Sequence, residues 1–198
     1  MCIRDSTIGI CCYNNSRTIL RTISSILRQD FQQWKLIILV SKSDDDTLEL
    51  SQAINDPRID VISLSTRQHW VESALQILDY VETKYFMWLD PDDFISEKWL
   101  SELILTNQIM GSKAACGLIQ ISNDGGINTV RSLSNYRVFQ FTESTCQLKR
   151  IFFGVLLPES FGLVNLLYSV WETDYLKSIV NWDSNELRLD FDQSFIIN

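Results

Sequence analysis

The chain has 198 residues, enough for one sizeable domain that buries a core without disulfides or a structural metal. Its composition, 45% hydrophobic and 21% charged, excludes an intrinsically disordered chain. The formal net charge of −8, with no cluster of Lys and Arg, excludes binding along a nucleic-acid backbone but not an anionic ligand bridged by a divalent cation.

Met1 to Ser6 carries no apolar signal-peptide core and resembles read-through of a sequencing adapter. Ile8 to Cys12 reads as a short buried strand, after which Asn14, Asn15 and Ser16 offer helix N-caps. Ile19, Leu20, Ile23, Ile26 and Leu27 then recur at helical spacing. Lys35 to Val40 is a second strand, and Asp44 to Asp46 stand where they would cap a helix carrying Leu48, Leu50, Ala53 and Ile54. Ile59 to Leu64 follows the Asp56-Pro57 break as a third strand, and Val71, Ala74, Leu75, Leu78 and Val81 form a third amphipathic helix. Tyr85 to Leu89 is a wholly apolar fourth strand, and Ser96 is placed to cap a helix with Trp99, Leu100, Leu103 and Ile104 facing inward. Apolar strands alternating with amphipathic helices predict an α/β fold: a mostly parallel central sheet, right-handed crossovers and helices on both faces.

The pattern changes near residue 112. Ala115 to Ser122 and Asn128 to Leu133 flank Asn123-Asp-Gly-Gly126, a hairpin signal, and Tyr136 to Phe141 reads as a further strand. Ser144 to Gln147 has the form of a capping box. The expected division is residues 7–112 and residues 113–198 as two halves of one domain. Phe195 to Asn198 stops inside an apolar pattern, which is expected of a fragment.

Five cysteines show no C-x-x-C spacing, so neither zinc nor a disulfide framework is signalled, and reduced thiols in the cytoplasm are expected. No apolar run is long enough to span a bilayer. His69 is the single histidine and no G-x-S-x-G elbow supports a hydrolytic triad around it, so a loop histidine is expected. Trp70 and Trp171 are expected in the core, with stacking on a sugar as the alternative.

The sharpest chemical signal is Leu89-Asp90-Pro91-Asp92-Asp93-Phe94. An apolar strand ends and three carboxylates follow at once, on a turn stiffened by Pro91. Ligands of open α/β sheets bind at the carboxyl ends of strands. Mg²⁺ and Mn²⁺ favour carboxylates together with substrate phosphates. The other reading of these residues is a solvated acidic turn leading into a helix.

Ile8 to Leu103 resembles a family 2 glycosyltransferase of the GT-A, Rossmann-like fold. Ile10-Cys11-Cys12-Tyr13-Asn14 is similar to the family's strand ending in an I-P-T-Y-N-like turn, and Ser25-Ile26-Leu27-Arg28-Gln29 to its S-I-L-x-Q. Asp56-Pro57-Arg58-Ile59 is similar to its D-P-R-I, and Tyr85 to Asp93 to its Y-x-x-x-L-D-x-D-D. The resemblance implies transfer of a sugar from a nucleoside-diphosphate sugar to a hydroxyl of a glycan or lipid-linked acceptor, with inversion. It implies Mn²⁺ or Mg²⁺ as cofactor, Asp92 and Asp90 as metal ligands, and Cys12, Tyr13, Asn14, Ser41, Arg67 and Asp90 as donor-binding residues. The cysteine usage and the lack of a signal-peptide core point to a cytoplasmic protein, with peripheral contact at the inner face of the membrane as a further expectation.

Two stretches depart from the family. Ser41-Lys42-Ser43 stand where acids usually read the nucleoside, so unusual base selectivity is expected. Ser73-Ala74-Leu75 replaces an A-R-N segment, leaving Arg67 as the candidate cation for the donor. Leu163 to Tyr168 and Trp171 to Asp174 are similar to a subgroup's N-L-x-Y-G-L-F-R. In Leu189-Asp190-Phe191-Asp192, Asp192 stands where family members carry the base, with Asp190 as fallback. A non-catalytic nucleotide- or sugar-binding module is the alternative, and a haloacid-dehalogenase-type phosphatase a more distant one.

Overall fold

The structure is a computed structural model and describes residues 5–117, 120–123, 126–132 and 168–179. The strands are β1 (Ser6–Cys12), β2 (Trp34–Val40), β3 (Ile59–Ser63), β4 (Tyr85–Trp88), β5 (Ala114–Ala115), β6 (Gln120–Asn123), β7 (Gly126–Ser132) and β8 (Val170–Glu172). The helices are α1 (Ile19–Leu27), α2 (Thr47–Gln52), α3 (Trp70–Asp79), α4 (Trp99–Met110) and α5 (Thr173–Ile179).

The chain divides into two compact units. One comprises residues 1–115 and 169–177, the other residues 116–168 and 178–198. The first holds a six-stranded sheet of order β3-β2-β1-β4-β8-β5. Strands β3, β2, β1 and β4 are parallel, and β8 is antiparallel to both β4 and β5. This is the mostly parallel α/β sheet that the alternating apolar runs predict. The chain steps from β1 to β2 to β3, then returns across β1 to place β4 on its other side. With right-handed crossovers, α1 and α2 cover one face and α3 the opposite face. The change of direction leaves a crevice at the carboxyl ends of β1 and β4, where such sheets take ligands.

The core strands are buried because they are apolar on both faces. Ile8, Ile10, Leu36, Ile38 and Phe86 have no exposed surface. Gly9 is the exception in size. A Cβ at Gly9 would lie 2.7 Å from Ile77 Cγ2 and 3.1 Å from Phe86 Cε2, so α3 packs against the bare backbone of β1. Both neighbours are fully buried and cannot move aside. Gly9→Ala is therefore expected to destabilise the fold by about 1–3 kcal/mol through overpacking. Chemical denaturation checks this, and unchanged stability would contradict the packing.

Several local expectations give way to tertiary contacts. Asn14, Asn15 and Ser16 do not cap α1 with their side chains. Its N-cap is Thr18, and the Asn15 carbonyl receives the Thr18 and Ile19 amides. Asp46 is the N-cap of α2 without a side-chain bond. Ser96 does not cap α4, whose N-cap is Lys98; the Ser96 carbonyl receives the Trp99 amide instead. Ala115 to Ser122 is not one strand. β5 ends at Ala115 in the main sheet, and β6 begins at Gln120 and pairs with β7 as the hairpin read from Asn123 to Gly126. Trp171 is buried in β8 as expected, whereas Trp70 is 45% exposed at the start of α3 and is not a core residue. The strand at Tyr136 to Phe141, the capping box at Ser144 to Gln147 and the segment Leu163 to Leu167 lie outside the described residues.

Asp56-Pro57-Arg58-Ile59 is a structural device. Arg58 grips Asp56 with two nitrogens, at 3.0 and 2.7 Å, and its guanidinium lies 3.7 Å from the Trp34 ring centroid. The staple joins the starts of β2 and β3, at the end of the sheet away from the crevice. Among the described residues, no helix is long and apolar enough to cross a membrane.

Candidate functional site

The parallel strands deliver their connecting loops to one end of the sheet. Tyr13 follows β1, Ser41 follows β2, Arg67 lies beyond β3 and Asp90 follows β4. The Leu89 amide still bonds to the Gly9 carbonyl at 3.0 Å, so Asp90 leaves the sheet beside β1 at the change of direction. Its charge is felt there: burial first, and then Asp90, push the Cys11 thiol up to about 12. Cys11 is therefore a protonated, unreactive thiol at neutral pH.

The acidic turn is compact. Asp90, Asp92 and Asp93 are exposed, and each offers a carboxylate oxygen lying within 4.8 Å of the others. The Asp93 amide bonds to the Asp90 carbonyl at 3.2 Å, closing the turn. Three like charges so close repel one another, and a hard cation relieves that repulsion while satisfying its own preference for oxygen. The donor set fits Mg²⁺ or Mn²⁺. Asp93 joins Asp90 and Asp92 here. Its signal was in the sequence, as the last acid of the L-D-x-D-D run.

The turn is held from behind by α1. The Thr22 hydroxyl lies 2.9 Å from the Pro91 carbonyl and 2.7 Å from that of Asp93. Arg21 donates to the Asp92 carbonyl at 2.5 Å, with its guanidinium 5.1 Å from the Phe94 ring centroid. Ser25 Oγ accepts the Ile95 amide at 3.2 Å. Gln29 donates to the Ser96 carbonyl at 2.6 Å and accepts the Leu100 amide at 3.1 Å. The roles of Arg21 and Thr22 carry no sequence signal, because their partners lie some seventy residues away along the chain.

The loops after β1 and β2 are laced together. Asn14 adopts φ 56°, a left-handed conformation that asparagine tolerates better than most residues. Its amide donates to Ser43 Oγ at 3.1 Å, and its side-chain oxygen accepts the Asp44 amide at 2.8 Å. Asn15 donates its amide to Thr47 Oγ1 at 2.8 Å, and Ser16 its amide to Asp45 at 2.9 Å. Burial works to raise the Asp45 carboxyl, but hydrogen bonds from Thr47 and Ser16 outweigh it and hold the group at about 2. Asp45 thus spends its charge on fixing the two loops together.

The remaining candidates divide by depth. Cys12 and Ser41 are buried, at 2% and 3% exposure. The Cys12 carbonyl accepts the Ser41 amide at 2.9 Å, and the Cys12 thiol is pushed up by burial and then by Cys11 and Asp45. Ser41 Oγ faces the Gln68 amide at 3.5 Å. Tyr13 is half-buried, and Asn14 and Arg67 are exposed. The Arg67 guanidinium lies 4.1 Å from the Tyr13 ring centroid, which brings a cation from the loop after β3 to the end of β1. His69 is the N-cap of α3, its Nδ1 accepting the Val71 amide at 3.4 Å, a structural use of the single histidine. Asp190 and Asp192 lie outside the described residues.

The profile of the family described as Glycosyl transferase family 2 matches residues 7–156. An uncharacterized glycosyltransferase of Haemophilus influenzae is 30% identical over 100 residues, which are 50% of this chain and 31% of that protein. The Escherichia coli UDP-Glc:alpha-D-GlcNAc-diphosphoundecaprenol beta-1,3-glucosyltransferase WfaP is 31% identical over 103 residues, 52% of this chain and 39% of its own. The matched region thus spans roughly a third of these relatives' length. Among solved structures, S. aureus TarS 1-349 in complex with UDP aligns with a TM-score of 0.70 at 20% identity, over 97% of this chain and 54% of TarS 1-349. The Pyrobaculum calidifontis mannosyltransferase PcManGT, in complex with GDP-Man and Mn²⁺, aligns with a TM-score of 0.62 at 13% identity, over 96% and 49% of the two chains. These likenesses show a GT-A fold.

Proposed function

The chain belongs to glycosyl transferase family 2, and from that membership we propose that it moves a sugar from a nucleoside-diphosphate sugar to an acceptor hydroxyl, with metal dependence and inversion. The observation that carries the proposal is the triad of exposed carboxylates at Asp90, Asp92 and Asp93, placed where the sheet changes direction. The TarS complex with UDP and the PcManGT complex with GDP-Man and Mn²⁺ support a donor of this class.

In this reading the donor diphosphate lies over the end of β4. A divalent cation held there by Asp92 and Asp90 would supply Lewis-acid charge to the departing diphosphate. Tyr13 and Asn14, with Cys12 and Ser41 beneath them, line the nucleoside side, and Arg67 over Tyr13 adds a cation for phosphate. A carboxylate, Asp192 with Asp190 as fallback, takes the acceptor proton as the acceptor oxygen bonds to the anomeric carbon. The bond from that carbon to phosphate oxygen breaks on the opposite side, and this gives inversion. WfaP names a lipid-linked diphosphate acceptor, which supports an acceptor of that kind or a glycan. Such an acceptor would bring the cytoplasmic protein to the inner face of the membrane.

The experiment is to incubate the protein with UDP- and GDP-sugars, with and without Mn²⁺, and to measure nucleotide release and glycosyl transfer. Metal-dependent release supports the proposal. Donor binding without hydrolysis or transfer in any combination would make the protein a binding module instead. The same panel tests the base. Ser41 and Lys42 place a buried hydroxyl and an exposed ammonium where a carboxylate would accept a base N–H. UDP and GDP are therefore expected to bind within about tenfold of each other, that is within ~1.4 kcal/mol. A strong preference for UDP would contradict this.

A further inference from the structure

Helix α1 and the residues just after it turn three polar side chains toward the interior. Thr22, Ser25 and Gln29 are spaced i, i+3 and i+7, so they share one face. Each has at most 1% of its surface exposed. Polar groups at that depth are costly unless they are hydrogen-bonded. Beyond α1, their side-chain bonds reach a single segment, from Pro91 to Leu100. Arg21, at the exposed rim of the same face, reaches that segment too.

The consequence is specific to the acidic turn. Three successive carbonyls, those of Pro91, Asp92 and Asp93, are engaged by Thr22 and Arg21. What the turn has left to offer a cation is mainly its carboxylates. Those carboxylates repel one another, and one backbone bond of 3.2 Å closes the turn from within. Contacts that fix the backbone of such a turn from behind help it to keep its shape against that repulsion. The Thr22 hydroxyl, with a single proton shared between two carbonyls, draws together the residues on either side of Asp92.

We propose that Thr22, backed by Ser25 and Gln29, is a positioning residue that sets the spacing of the Asp90, Asp92 and Asp93 carboxylates and so the affinity of the turn for a divalent cation and diphosphate. The inference rests on reading that turn as the cation and diphosphate site.

The test is calorimetry of Mn²⁺ with UDP, and in parallel with GDP, on the whole chain, alongside thermal unfolding. Thr22→Val removes the hydroxyl at nearly constant shape and is expected to weaken Mn²⁺-dependent binding about tenfold. Thr22→Ser restores the hydroxyl and is expected to recover the affinity. Ser25→Ala is expected to show a smaller loss, about threefold, with faster amide exchange at Ile95, and it stands in should Thr22→Val fail to fold. Arg58→Met, which breaks the staple at the far end of the sheet, controls for stability: it should unfold at lower temperature yet bind normally. Thr22→Val or Ser25→Ala with parental affinity and a lowered unfolding temperature would overturn the proposal, leaving these residues purely structural. If the parent protein binds both nucleotides without regard to Mn²⁺, the reading of the turn itself fails, and the positioning role with it.

Discussion

Asp92→Asn is expected to abolish the Mn²⁺-dependent component of nucleoside-diphosphate binding. The substitution keeps the size of the side chain and removes its charge. Asp92 contributes to a cluster whose carboxylate oxygens all lie within 4.8 Å of one another. Loss of a residue that merely supports a metal ligand costs about 10- to 100-fold in affinity, so loss of the central carboxylate should cost at least about 100-fold. Stability should move the other way or not at all, because the exposed cluster is self-repelling without a cation. Calorimetry with Mn²⁺ and UDP or GDP reads the first effect and thermal unfolding the second. Unchanged Mn²⁺-dependent affinity in Asp92→Asn would show that the turn is an ordinary acidic link into α4.

Asp192→Asn should do the opposite: leave the donor bound and stop the transfer. A general base contributes about 10²- to 10⁴-fold to a rate, and asparagine cannot take the acceptor proton. The assignment comes from the likeness of Leu189 to Phe195 to the family's late helix, where Phe191 stands in place of the usual acid. Asp190→Asn is the companion measurement. If Asp190→Asn loses transfer and Asp192→Asn does not, the base is the earlier residue. If both transfer normally, the acceptor proton goes elsewhere.

The central parallel strands β1, β2 and β4 were legible because strands buried on both faces are apolar throughout. Ile8 to Cys12, Lys35 to Val40 and Tyr85 to Leu89 fall within two residues of β1, β2 and β4. Helix beginnings were not legible. Asn14, Asn15 and Asp45 have side chains short enough to serve as caps, but each bonds to whichever partner the neighbouring loop or turn presents. That choice is made by the tertiary structure. The place where a chain leaves a sheet is equally hidden: Ala115 to Ser122 reads as continuous strand, although only Ala114 and Ala115 remain in the main sheet. The acidic turn was visible as a run of like charges. Its support was visible only as the string Ser25 to Gln29, whose meaning appears once Ile95, Ser96 and Leu100 are seen to bond to it.

The insertion of β8 between β4 and β5 also bears on how the protein emerges from the ribosome. β2, β3 and β4 can each pair as soon as they are made, since each lies beside a strand already synthesised. The other edge of β4, the wholly buried run Tyr85 to Trp88, stays open until Val170 to Glu172 arrive. Throughout that interval the nascent chain carries an apolar strand edge able to pair with another chain. A chaperone that shields this edge would have its longest task there, and a ribosome that stalled before Val170 would release a product inclined to aggregate.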